Sequence, residues 1–166
     1  WIRDNRAVLG GGGLFLTGGA IASLGRGTNS CLVGDDQCSR IEGNRAANDA
    51  GSGGNGGAAQ VLAGAQLTLA HTRLAGNMAG NNALLRVNGA GSAVSLDNTL
   101  IVGNQTIGRL ITVENSSTLD LDFATLADNT FNVAAIEAAA GTAVALQRSI
   151  LQVGSGQAVT NGGGAF

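Results

Sequence analysis

Residues 101–125 read IVGNQTIGRLITVENSSTLDLDFAT, and this stretch decides the fold. It opens with Ile101, three residues before Asn104. It runs through two short alternating stretches, Leu110–Val113 and Leu119–Phe123, and then hands over to Leu126 and Asn129, where the same pattern begins again. A sequence that repeats itself at such a period is read first as a stack of equivalent units.

Working outward, the phrase apolar-x-x-Asn occurs as Ile2–Asn5, Ile41–Asn44, Leu74–Asn77, Ile101–Asn104 and Leu126–Asn129, with Leu151–Gly154 as a degenerate sixth copy. Subtracting the Asn positions gives 39, 33, 27 and 25, and 25 again to Gly154. The later turns are tight and the earlier ones carry insertions. Other apolar positions fall into columns. Leu67, Val94, Leu119 and Val144 form one, and Leu69, Leu96, Leu121 and Leu146 the next. Val61, Val87, Val113 and Ala138 form a third, with Ala59, Leu85, Ile111 and Ile136 two residues earlier. Leu14, Leu16, Ala22 and Leu24 fit the first turn.

Spacing of two within each stretch is the period of a strand, not of a helix. Each repeat holds two or three short strands by this reading. One repeat cannot bury its apolar face alone, but stacking repeats about 4.8 Å apart buries a continuous core. The expectation is an all-β parallel solenoid of about five to six turns, occupying residues 1–166 as one unit. The Asn column suits a sharp corner, since Asn tolerates the left-handed region. Stacked in register, Asn44, Asn77, Asn104 and Asn129 can also hydrogen-bond from turn to turn as a ladder.

Composition narrows the function classes. The chain has 28 glycines, no proline and a net charge of −2. Small residues suit tight stacking, and the weak negative charge argues against a nucleic-acid backbone as partner. No run of about 18 apolar residues is present, so no membrane-spanning helix is expected. Two insertions stand out, at 25–40 and at 45–57. The second, RAANDAGSGGNGG, reads as a flexible corner loop. Cys31 and Cys38 lie in the first, with six residues between them in a polar loop. A disulfide in an oxidising compartment is the simplest reading, with free thiols or a metal as alternatives. The chain opens inside an anchor phrase at Trp1-Ile2, and its last residues, GGGAF, mirror GGGLF at 11–15. A segment of a longer solenoid is therefore expected, continued by its own chain or by an end-stacked partner.

The column pattern resembles the right-handed parallel β-helix of the pectate-lyase-like superfamily. A narrower likeness rests on Gly18-Gly19-Ala20-Ile21 and Ile41-Glu42-Gly43-Asn44. These are similar to the GGAI and FxxN repeats of polymorphic outer-membrane proteins, which are autotransported bacterial adhesins. Here Ile or Leu replaces the Phe throughout. The resemblance implies a secreted or cell-surface segment that acts as a scaffold or adhesin, with a glycan or a host protein as the expected contact. Superfamily members that cleave acidic polysaccharides use outward Asp residues with calcium or as acid and base, which makes a lyase or hydrolase fragment the alternative.

The residues that could carry such chemistry alternate with the core columns. Asp97 and Asp122 are expected to stack on neighbouring turns with Asp120 beside them. Carboxylates so placed can share a proton or hold calcium. Asp97, Asp120 and Asp122 are the catalytic candidates, and Asp97 with Asp122 the calcium candidates. No Arg or Lys is expected in their columns, so a solvated face is the plainer reading and a non-enzymatic role is favoured. A second outward column is Phe15, Gln60, Arg86, Thr112 and Glu137. The lone His71 aligns with Asn98, Phe123 and Arg148 near a corner, without an evident partner. Thr72 and Thr99 also align, but Ala124 and Ser149 interrupt any flat threonine array.

Overall fold

The structure is a computed structural model that describes residues 1–25, 38–48, 51 and 53–166. It is all β, with parallel strands stacked in register as a solenoid. Four sheets run along its length. The anchor sheet has six strands: Ile2–Arg3, Ser39–Glu42, Thr72–Ala75, Leu100–Val102, Thr125–Ala127 and Ile150–Leu151. The corner sheet has four: Arg6–Ala7, Arg45–Ala46, Met78–Ala79 and Gln105–Thr106. The long sheet has six: Leu14–Leu16, Ala59–Leu62, Ala83–Asn88, Arg109–Glu114, Ala134–Ala139 and Gln157–Gly162. The flat sheet has five: Ile21–Leu24, Gln66–Ala70, Ala93–Asp97, Thr118–Asp122 and Ala143–Gln147.

A full coil therefore holds four strands where two or three were expected. The stack has about four turns where five to six were expected. Among the described residues four layers contain a corner-sheet strand, and these four coils carry the full set. The expected columns do align: Leu67, Val94, Leu119 and Val144 pair in order, as do Leu69, Leu96, Leu121 and Leu146. All but Leu146 are buried. Leu146 is 39% exposed, having no equivalent residue stacked beyond it. Alternation misses one column, Ala58, Leu84, Leu110 and Ala135, which is also buried. Leu84-Leu85 and Leu110-Ile111 are consecutive inward pairs, because the chain is rounding a corner there and the two-residue period lapses. Phe131 fills the coil beyond the last corner-sheet strand and is 1% exposed.

The corners follow one rule that the sequence reading got only half right. Asn was expected to hold the left-handed conformation itself. Instead the residue before it does: Asp4, Gly43, Gly76, Gly103 and Asp128 all have positive φ. Asn is thereby freed to turn inward, where Asn44, Asn77 and Asn104 are almost completely buried. The Asn44 backbone N–H and Nδ2 both donate to Asn77 Oδ1 at 3.0 Å. Asn77 donates in the same way to Asn104 Oδ1, at 2.9 and 3.0 Å. Asn104 donates to Asn129 Oδ1, at 3.0 and 2.9 Å. The Nδ2 of Asn44, Asn77, Asn104 and Asn129 also donates to a carbonyl of the preceding layer: Ile2, Ile41, Leu74 and Ile101 in turn. Buried amides satisfied on every side stabilise a unique register, whereas a single orphan among them would be costly.

The other corners repeat the rule with hydroxyls. Left-handed His71, Asn98 and Arg148 precede Thr72, Thr99 and Ser149, each of which donates back to the carbonyl two residues earlier. Left-handed Gly91, Ser116 and Gly141 precede Ser92, Ser117 and Thr142, whose hydroxyls donate to carbonyls further back: Asn88, Glu114 and Ala139. Thr72 and Thr99 thus point inward and form no outer threonine array. The stretch 45–57 also differs from expectation. Arg45–Ala46 is a strand, and Ala46, Ala47, Gly54, Gly56 and Gly57 are buried among its described residues. A Cβ on Gly57 would lie 2.4 Å from the Met78 carbonyl oxygen, so only glycine permits this approach.

Two outcomes test the packing. Leu121→Asp places an unpaired charge in a fully buried column and should unfold the chain; a soluble variant with an unchanged urea midpoint would refute the column assignment. Asn77→Ala strands several buried partners at about 1–3 kcal/mol each. It should cost about 3 kcal/mol in urea unfolding, and clearly more than Asn5→Ala at the exposed end of the same ladder. Equal losses at both positions would contradict the ladder.

Candidate functional site

The flat sheet brings the candidate carboxylates together as its register requires. Asp97 pairs directly with Asp122 on the next strand, and Asp120 pairs with Ser95. The Asp column itself holds no Arg or Lys, but the neighbouring corner column supplies one. Arg148 lies at the adjoining corner, and its guanidinium forks onto Asp122, with Nε 2.8 Å from Oδ1 and the terminal nitrogen on Oδ2. The Arg was missed because it sits in the corner column, one residue beyond the Asp column. The hydrogen bond from Arg148 holds the Asp122 carboxyl below its ordinary value, and Asp122 in turn raises the guanidinium. Both Asp122 oxygens are occupied, so the calcium arrangement expected of Asp97 and Asp122 would have to displace an arginine. Among the described residues, no group of three or more His, Cys, Asp or Glu side chains is placed to hold a metal.

The corner column itself is the more distinctive feature. His71, Asn98, Phe123 and Arg148 occupy equivalent corners of successive layers, and all four are left-handed, with φ of 49, 46, 51 and 46°. His71 does have a partner: its Nδ1 lies 3.0 Å from Asn98 Nδ2. Since an amide nitrogen only donates, this Nδ1 accepts. The Arg148 guanidinium lies 4.5 Å from the centroid of the Phe123 ring. Phe123 is nevertheless 53% exposed. The result is a file of an imidazole, an amide, an aromatic ring and a guanidinium along one edge of the rod. The left-handed region costs a non-glycine residue about 1–2 kcal/mol, and Asn less. Glycine stands at three of the five corresponding positions of the anchor corner and at none of these four.

The outward column of the long sheet is in register as expected, from Phe15 through Gln60, Arg86 and Thr112 to Glu137. The arginines are not idle, however. Arg86 pairs with Glu114 at 2.9 Å and Arg109 with Glu137 at 2.6 Å, each across one layer. Asn88 Nδ2 donates to the same Glu114 carboxylate. Thr112 and Gln60 of this column are themselves buried. On the anchor sheet, Glu42 lies 3.7 Å from both Arg40 and Arg73, and Arg40 stacks on Trp1 at 4.8 Å. Partly exposed pairs of this kind add about 0–1 kcal/mol each. The pairs Arg86–Glu114, Arg109–Glu137 and Arg73–Glu42 match opposite charges between neighbouring layers. The Cys31–Cys38 pairing lies outside the described residues at Cys31; Cys38 itself is buried.

The Asp122 pairing sets a pH dependence of known sign. Its folded pKa lies below its unfolded one, so the contribution is present above about pH 4. It fades as pH falls through the lowered folded value. Arg148→Ala should move the Asp122 carboxyl titration upward towards the ordinary range in an NMR titration, and an unmoved titration would refute the fork. Comparison of the chain with protein-family models, with curated proteins and with solved structures finds no match in any of the three.

Proposed function

We propose that this protein is a non-enzymatic scaffold: a stiff β-solenoid that holds the ridge His71–Asn98–Phe123–Arg148 in a fixed file for contact with a glycan or a protein. The observation that carries this reading is the left-handed backbone at all four ridge positions. Strain retained at positions where glycine would relieve it points to a role for the side chains. A compact scaffold whose layers are cross-linked by amide ladders and ion pairs also suits presentation rather than motion. Among the described residues no cavity is present, and Asp122 is committed to Arg148.

The likeness to pectate-lyase-like β-helices and to autotransported adhesins supports a secreted or cell-surface setting. In that setting the insertion at 25–40 would be a second contact element. Calcium bridging Asp97 and Asp122 would compete with Arg148 for the Asp122 carboxylate. Catalytic use of Asp97, Asp120 and Asp122 is disfavoured by the same fork.

Two measurements test the reading. Incubation with polygalacturonate and calcium should produce no shorter chains. Depolymerisation that disappears in Asp122→Asn would overturn the scaffold in favour of a lyase or hydrolase. Phe123→Asn should keep or raise the urea midpoint, because Asn accepts the left-handed region more readily. A loss of more than about 2 kcal/mol would mean that Phe123 is retained for stability and not for contact.

A further inference from the structure

An asparagine followed by glycine is a chemically weak point in a chain, because a glycine nitrogen carries no side chain to hinder its closing on the asparagine amide carbon. The pair occurs at Asn55-Gly56, Asn88-Gly89 and Asn161-Gly162. At the first two the corner demands the glycine. Gly89 has a φ of 104°, and a Cβ there would lie 3.1 Å from the Ala63 nitrogen. Gly56 has a φ of 70°, and its Cβ would lie 2.6 Å from the Ala59 carbonyl oxygen.

The following coil then holds each of these pairs shut. The Gly89 N–H donates to the Glu114 carbonyl at 3.2 Å. Asn88 is pinned at both ends of its amide: Nδ2 donates to Glu114 Oε2 at 2.7 Å, and Oδ1 accepts from Asn115 Nδ2 at 3.1 Å. Asn88 and Glu114 are direct partners in the long-sheet ladder. At the other pair the Gly56 N–H donates to the Ala83 carbonyl at 2.7 Å, and Asn55 Oδ1 accepts from the Asn82 N–H at 3.2 Å. While the next coil is in place, the glycine nitrogen is engaged and the amide is held away from it.

We propose that Asn88 is a hydrolytic modification site gated by the coil that follows it, with Asn55 a second site of the same kind, and that reaction there makes the opening of a coil irreversible. Once the coils part, the Gly89 nitrogen loses its proton to solvent hydroxide and attacks Asn88 Cγ. The new N–Cγ bond closes a cyclic imide, the Cγ–Nδ2 bond breaks, and Nδ2 takes a proton from water and leaves as ammonia. Water then opens the imide at either carbonyl, giving aspartate or isoaspartate. Neither product fits the closed coil. Aspartate sets a carboxylate directly opposite Glu114, where the amide had donated, and like charges so placed destabilise a ladder. Isoaspartate lengthens the main chain within a strand whose register with Leu62 and Glu114 is fixed on both sides.

The test is a timed incubation of the whole chain at mildly alkaline pH, once folded and once above its urea midpoint. Peptide mapping by mass spectrometry follows conversion of each amide to acid, and enzymatic methylation of isoaspartate identifies the rearranged product. Asn88 should convert at least about tenfold more slowly in the folded chain, since only the opened fraction reacts. Asn115→Ala removes the bond to Asn88 Oδ1 and should speed Asn88 conversion several-fold in the folded chain. It should leave conversion at Asn55, and both rates in urea, unchanged. For the irreversible step, Asn88→Asp should lower the urea midpoint more than Asn88→Ala, because both lose the amide and only the first opposes Glu114. Equal Asn88 rates in folded and unfolded chain would overturn the proposal, as would an Asn115→Ala variant that leaves Asn88 unaffected. An Asn88→Asp variant no less stable than Asn88→Ala would overturn the irreversible step. None of these readouts involves the ridge or the polysaccharide assay, so a failure here leaves the scaffold reading intact.

Discussion

Everything in this fold depends on repeating one corner at the same height in every layer. A parallel stack tolerates little variation in register, because a slip of one residue would send each core side chain to the opposite face. The corner solves this locally, with a left-handed residue followed by a side chain that bonds inward. At the anchor corner that side chain is Asn, and it also reaches the next layer, so a local turn and a long-range contact are fixed by the same atoms. Elsewhere Thr or Ser takes the second position and mainly closes its own turn. Hydrophobic columns supply the bulk of the driving force, but a slip of two residues would leave them facing inward. The amide ladder and the hydroxyl corners make one register better than its neighbours.

Much of this was legible in the sequence, because stacked layers turn distance in space into period in sequence. Leu69, Leu96, Leu121 and Leu146 could be aligned without knowing any coordinate. What escaped was whatever breaks the two-residue rhythm. Leu84 and Leu110 are buried beside buried neighbours because the strand bends there. The corner-sheet strands, only two residues long, are too short to show any period. The left-handed residue was assigned one place too late because Asn and Gly both suit such a corner, and composition cannot say which of two adjacent residues takes it. The pairing of Arg148 with Asp122 was missed because the two lie in adjacent columns of adjacent layers. Column reading compares like with like and is blind to that diagonal.

The contrast between the anchor corner and the ridge shows where local comfort was given up. Glycine at positions 43, 76 and 103 removes strain and leaves no side chain to offer. At the ridge the same backbone shape carries Phe123 and Arg148 instead, and the scaffold must hold them there. It can do so because the coils on either side fix the strands entering and leaving each corner, through Ala124 N–H on Ser149 Oγ for instance. Rigidity in the core thus permits strain at the edge.

The interlayer ion pairs and ladders join nearest neighbours, and this gives the rod two very different mechanical characters. A load spread over a whole layer along the axis is shared by the hydrogen bonds of four sheets at once, and all of them must yield together. A load applied through the two ends of the chain meets only the outermost strand at any moment, and the rod can be unwound coil by coil like thread from a spool. The same molecule would therefore be stiff as a spacer and extensible as a tether, according to where it is gripped.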